Sequence, residues 1–65
     1  MRYHICYRLK RKNARRKKDC SFWSPNNDSA KATFNNVVEK HKDADQKQYE
    51  LVTGDWKHII FYGEE

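Results

Sequence analysis

Five residues carry the thiol or imidazole donors that a metal or an acid–base centre would draw on: His4, Cys6, Cys20, His41 and His58. Their spacing argues against a metal. No Cys-x-x-Cys or His-x-x-x-His pair occurs, so neither half of a zinc chelate is preassembled along the chain. Cys6 and Cys20 read as small, mostly buried thiols in a reducing compartment. A hairpin centred near Asn13 would bring the two opposite one another, which leaves a cross-strand disulfide as an open alternative. His41, His58, Glu50 and the lysines supply proton-transfer groups. However, the chain has no nucleophile elbow, phosphate-cradling glycine loop or paired-carboxylate motif. These residues point to a protein that is not an enzyme and that uses neither metal nor cofactor.

The stronger chemical signal is cationic. Residues 1–18 hold nine of the fourteen basic side chains and no acidic one, whereas residues 19–65 hold five basic and nine acidic, so a net charge of +5 divides into +9 and −4. All five arginines, Arg2, Arg8, Arg11, Arg15 and Arg16, lie within the first sixteen residues. The guanidinium is a planar fork of five donors that matches phosphate geometry. Arg8, Lys10, Arg11, Lys12, Arg15, Arg16, Lys17 and Lys18 are therefore candidate phosphate ligands, with binding driven by release of condensed counterions. Aromatic residues flank the run at Tyr3, Tyr7, Phe22 and Trp23, and Tyr7 and Trp23 are candidates for stacking on unpaired bases. Phosphate contacts carry no sequence information, so the pattern indicates a class of partner and not a sequence preference. The same basic run would also serve as a nuclear-localisation signal in a eukaryotic setting, or as an electrostatic contact to anionic lipid.

Local patterning supplies the elements that position these groups. From residue 2 to residue 10, Tyr3, Ile5, Tyr7 and Leu9 alternate with Arg2, His4, Cys6, Arg8 and Lys10, the period of a strand with one buried face. A second, shorter strand spans residues 19–24. The two form a hairpin whose basic loop, at about residues 10–18, is held open and mobile by its own repulsion. Pro25 breaks the second strand, and Asn27 or Asp28 caps a helix over residues 28–42. Ala30, Phe34, Val37, Val38 and His41 form its apolar stripe, with His41 placed as a cation at the negative end of the helix dipole. Residues 47–52 and 56–62 form a second hairpin about Gly54-Asp55. With a two-residue loop, Leu51 would face His58 and Tyr49 would face Ile60. That register places Tyr49, Leu51, Trp56, Ile60 and Tyr62 on one face and Val52, Ile59 and Phe61 on the other. A three-residue loop would shift it.

The predicted architecture is a single α+β domain over residues 1–65, of ββαββ order, with one helix packed on one face of an antiparallel sheet. At 65 residues the core is small, and a partner could stabilise it. The longest uninterrupted apolar run is Ile59-Ile60-Phe61-Tyr62, too short to span a bilayer. The N-terminal segment does not read as a signal peptide, since charged residues interrupt every apolar stretch, so the expected location is the cytoplasm without membrane insertion.

This layout resembles that of many small proteins of phages and mobile elements, including some anti-CRISPR inhibitors. The resemblance spans most of the chain as an order of elements and carries no shared motif, so it assigns no residue a role. Two readings follow. In the first, the protein binds DNA or RNA through the basic loop. In the second, it is an inhibitor or adaptor that docks on a larger protein or nucleoprotein by its open sheet face or an edge strand. Trp23, Ile59 and Phe61 would then form the contact and the basic loop would meet an acidic surface. A homodimer, carrying two basic loops, is compatible with either.

Overall fold

The computed structural model describes residues 1–11, 13–41 and 46–63. Its elements run β1 (Arg2–Leu9), β2 (Lys17–Trp23), α1 (Asn27–Glu39), β3 (Lys47–Thr53) and β4 (His58–Phe61). All neighbouring strands are antiparallel, in the order β2-β1-β3-β4. The architecture is the expected α+β domain: a four-stranded antiparallel sheet with one helix between the second and third strands. Since β2 and β3 both run antiparallel to β1 and flank it, they are parallel to each other. The connection between them must pass over β1, and α1 makes that crossing. No helix among the described residues is long and apolar enough to cross a membrane.

The helix starts one residue earlier than the sequence pattern suggested. Asn26, in extended conformation, is the cap, and its Oδ1 accepts the Ser29 N–H at 2.8 Å. The last helical residue is Glu39, and the expected continuation to Lys42 falls partly outside the described residues. Ala30, Phe34 and Val38 are buried, one per turn, against Tyr3, Ile5, Tyr49 and Leu51 of the two central strands. Val37, Phe22, Ile59, Ile60 and Tyr62 close the edges of this core. Two aromatic contacts order it: Tyr3 stacks on Phe22 at 5.7 Å between centroids, and Phe34 meets Tyr62 edge-on at 6.4 Å. The buried Tyr3 hydroxyl donates to Asn27 Oδ1 at 2.7 Å, so its polar end is satisfied where the helix begins.

The second face of the sheet departs from the expected strict alternation. Cys6 is fully buried and His4 and Glu50 nearly so, although all three point away from the helix. They are roofed by side chains from the hairpin and the basic loop rather than by a second layer of secondary structure. Leu9, on the nominal core face, is exposed because the helix does not extend that far. Both central strands thus bury four consecutive residues, while β2 is exposed almost throughout.

Two bulges set the registers. In the first hairpin Ile5 pairs with Cys20 and Cys6 with Lys18, which leaves Asp19 as the extra residue. Cys6 and Cys20 therefore sit on opposite faces and both are free thiols, not a cross-strand disulfide. In the second hairpin the loop has three residues, Gly54-Asp55-Trp56, and not two. The Trp56 N–H donates to the Thr53 carbonyl at 2.8 Å and the Thr53 N–H to the Lys57 carbonyl at 2.9 Å. Leu51 consequently pairs with Ile60 and Val52 with His58, with Ile59 bulged between them. Trp56 and Ile59 exchange sides relative to expectation: Ile59 packs against the helix-side core, and Trp56 stacks on His4 across the open face.

Two residues of this loop sit where the backbone is constrained. Gly54 donates its N–H to the Arg2 carbonyl at 2.8 Å, and a Cβ there would meet that oxygen at 3.2 Å. Trp56 has φ of +66°, the left-handed position that closes a three-residue hairpin and that glycine usually fills. Substituting Trp56 by Gly and by Ala removes the ring in both cases, but only alanine keeps a Cβ in the left-handed region. Trp56→Gly is expected to be more stable than Trp56→Ala by roughly 1 kcal/mol, as read from urea melts followed by circular dichroism. Equal stability, or the reverse order, would show that the loop does not hold this conformation.

Candidate nucleic-acid interface

Because β2 begins at Lys17, the loop between β1 and β2 is shorter than its charge run and Lys17 and Lys18 belong to a strand. The turn is closed by the Ala14 N–H on the Arg11 carbonyl at 3.4 Å, with Asn13 at φ of +66°, a conformation asparagine tolerates. Lys10 is tied across to β3 through its N–H and the Gln46 carbonyl at 3.2 Å. Lys12 lies outside the described residues.

The sheet plane divides the candidate phosphate ligands. A cleft of about 230 Å³ opens beside the loop, lined by Tyr7, Arg8, Arg11, Arg15, Lys17 and Lys47. Lys17 is opposite Tyr7 in the ladder, and the Lys47 ammonium stands 4.7 Å from the centre of the Tyr7 ring. Among the described residues no carboxylate pairs with Lys10, Arg11, Arg15, Lys17 or Lys18. Arg11, Arg15 and Lys17, which line one cleft with Tyr7, make a seat for an anion, and a polyanion would gain most from it by counterion release. Arg8 sits at the boundary between the two faces. Its Nε donates to Gln48 Oε1 at 2.9 Å, and its guanidinium lies 5.6 Å from the centre of Phe61 on the open side.

Arg16 has a different role from its neighbours. Its Nη1 donates to Glu50 Oε1 at 3.2 Å, and Glu50 Oε2 is 2.6 Å from His58 Nδ1. Glu50 is only 8% exposed. A carboxylate so far removed from water is costly unless it is matched by charge and hydrogen bonds, and these two partners supply both. Arg16 also places its guanidinium 5.6 Å from the centre of the Trp56 ring, while His4 lies on that ring at 4.6 Å and engages Ser21 Oγ through Nδ1 at 2.6 Å. The loop's end is thereby fastened to β3, β4 and their hairpin. No pattern in the sequence singled out Glu50 or Trp56 as organisers, because their partners come from distant segments.

The remaining candidates are scattered. Trp23 is 72% exposed but pairs with Arg2 at the far end of β2, some six residues or about 20 Å from Lys17, so it does not join Tyr7. Phe61 is half-buried beneath Arg8 and His58, and Ile59 belongs to the other face. The expected apolar patch of Trp23, Ile59 and Phe61 is therefore not formed. His41, beyond the last helical turn, has its Nε2 3.5 Å from Asp19 and its ring against Tyr49 at 5.0 Å. The described residues contain no group of three or more His, Cys, Asp or Glu side chains able to hold a metal ion.

The two thiols differ in access. Burial pushes the Cys6 thiol above its ordinary value; Arg16 opposes this and Glu50 adds to it. Cys20 is raised by desolvation and by the adjacent Asp19, yet it is exposed at the surface of β2. A folded thiol that holds its proton more tightly stabilises the fold fully below the unfolded thiol's pKa. That contribution falls as pH rises through the folded value.

Two measurements test this description. Iodoacetamide at mildly alkaline pH is expected to add one group, at Cys20, to the native protein and two in urea, by mass spectrometry; prompt double labelling of the native state would contradict the buried Cys6. Arg16→Gln is expected to lower stability by about 1 kcal/mol, because it strips a partner from a buried carboxylate. Arg11→Gln and Arg15→Gln should stay within about 0.5 kcal/mol of the parent. Equal urea midpoints for all three would remove the special role of Arg16.

Comparisons with protein-family models, with curated proteins and with solved structures find no match to the chain, so its function has to be read from its own residues.

Proposed function

We propose that the protein is a non-enzymatic module that binds nucleic acid through its phosphate backbone. The reading is carried by one observation: Arg8, Arg11, Arg15 and Lys17 line a single cleft around Tyr7, and of these only Arg8 has a side-chain hydrogen-bond partner within the described chain. Cations held close together without carboxylates repel one another, and an incoming polyanion relieves that repulsion as well as releasing counterions. Lys10 and Lys18 extend the basic surface on either side. Arg16 supports the loop's end through Glu50 and is not counted among the phosphate ligands.

A second reading, docking on an acidic protein surface, is favoured by the exposure of Trp23 at the end of the edge strand β2. Strand addition to that edge is opposed by Lys17, Lys18 and the bulge at Asp19, all of which blunt an edge against pairing. Dimerisation would set two clefts in one particle and raise avidity for a long polyanion.

The test is fluorescence anisotropy with labelled single- and double-stranded DNA and RNA over a salt series. The parent is compared with a variant combining Arg11→Gln, Arg15→Gln and Lys17→Gln. The logarithm of affinity should fall linearly with the logarithm of salt. The variant's slope should be flatter by roughly 0.9 on duplex, or 0.7 on single strands, for each phosphate it no longer neutralises. Unchanged slope and affinity in the variant, or no binding at low salt, would overturn the proposal.

A further inference from the structure

Trp56 is held in a left-handed conformation that glycine adopts without the Cβ penalty, and almost half of it is exposed, at 46%. A bulky side chain in the left-handed region is uncommon, and such positions concentrate where a protein needs a group in a particular place. Here the backbone conformation carries the indole from the hairpin across the open face. It lies within 24° of parallel to the His4 ring, at 4.6 Å, with the Arg16 guanidinium beside it. His4 is in turn fixed by Ser21, and Arg16 by Glu50. The ring is thus oriented by partners on β1, the basic loop and, through Glu50, β3.

The surroundings of that ring carry the chemistry further. At the same end of the sheet, Trp23 pairs with Arg2 on the open face, and the Arg2 carbonyl accepts the N–H of Gly54 from the hairpin that bears Trp56. Toward the other end the open face carries Lys18 opposite Cys6, then Arg8 above Phe61. The one carboxylate at a register position on this face, among the described residues, is Glu50, and it is paired with Arg16 and in hydrogen-bond contact with His58. The open face therefore combines two exposed indoles with a line of unopposed cations that leads to the basic cleft. A folded duplex has no free base faces to offer an indole. An unpaired strand has both free bases and the phosphate charge that this face lacks.

We propose that the open face of the sheet takes single-stranded nucleic acid, with an unpaired base stacked on Trp56, a second at Trp23, and the backbone following Arg2, Lys18 and Arg8 toward the cleft. This rests on the nucleic-acid reading above and names the strand state and the surface that reads it.

The test uses the full chain and an oligo(dT) of about twelve nucleotides, a length within the span of small single-strand-binding folds. A duplex of equal length serves as the comparison. In Trp23→Phe, Trp56 is the sole tryptophan, and its emission is expected to be quenched on titration with oligo(dT) but not with duplex. Trp56→Ala should weaken oligo(dT) binding about 5- to 150-fold, the range for removal of one base–aromatic stack, while leaving the salt slope and the duplex affinity unchanged. Trp56→Phe should recover most of that affinity, and it keeps the test open if Trp56→Ala fails to fold. If oligo(dT) raises the anisotropy but Trp56 emission does not change, this proposal is overturned and the cleft reading stands. Tighter binding of duplex than of single strand, unaffected by Trp56→Ala, has the same consequence. If neither probe binds at low salt, both readings fall, and the exposed indoles become the place to seek a protein partner.

Discussion

A carboxylate placed nearly out of water in the centre of a small sheet constrains much of what surrounds it. Glu50 on β3 must be met by charge and hydrogen-bond donors, and His58 on the adjoining strand offers a ring nitrogen at 2.6 Å. The second donor has to come from the basic loop, so Arg16 is drawn in and the loop's end is fixed to the sheet. That single tether places Arg16 beside Trp56, lets the indole lie over His4, and roofs the face that α1 leaves uncovered. The triad also separates Arg16, a structural member of the basic run, from Lys10, Arg11, Arg15, Lys17 and Lys18, which have no carboxylate partner among the described residues. Breaking such a pair leaves a buried charge unmatched, and that makes the arrangement obligatory whether or not it is net stabilising relative to an apolar substitute.

The two faces of the sheet are held by different physics. On the helix side, Tyr3, Ile5, Tyr49 and Leu51 meet one residue per turn of α1, and burial of apolar area supplies the driving force. On the other side there is no second layer, and burial of Cys6, His4 and Glu50 depends on stacking and charge-assisted hydrogen bonds among side chains with long sequence separations. A chain of this size cannot build two apolar cores. A polar, aromatic roof allows both central strands to be buried while the outer surface stays charged and wettable.

This difference explains what could be read in advance. The alternation in β1, the 3.6-residue stripe of α1 and the breaker at Pro25 are local signals, and they led to the correct fold class and element order. The helix cap was off by one because Asn26, Asn27 and Asp28 are all competent caps and only the backbone decides among them. The hairpin register turned on Trp56 adopting positive φ, which nothing in its residue type announces. The strand order and the pairing of Arg16 with Glu50 are non-local, and no period or spacing encodes them. The basic run was legible as charge, but its division between a cleft, a strand and a buried ion pair required the bulge at Asp19 and the sheet plane.

The interior is one small apolar core beneath the helix, so on the proposed reading recognition falls to the surfaces. The structure concentrates there what a pocket would otherwise hold: rings fixed by neighbouring side chains and cations without partners. Rigidity matters because ordering long side chains on binding subtracts from affinity. Arg11, Arg15, Lys10 and Lys17 remain free to follow a flexible backbone, which suits contacts that carry no sequence information. Trp56, by contrast, is fixed on one side by His4 and flanked by Arg16, which suits a contact that depends on ring geometry. The cleft cations lie on the Tyr7 side of the sheet and the fixed indole on the open face, and Arg16, at the loop's end, bonded to Glu50 and adjacent to Trp56, is the residue through which the geometry of one reaches the other.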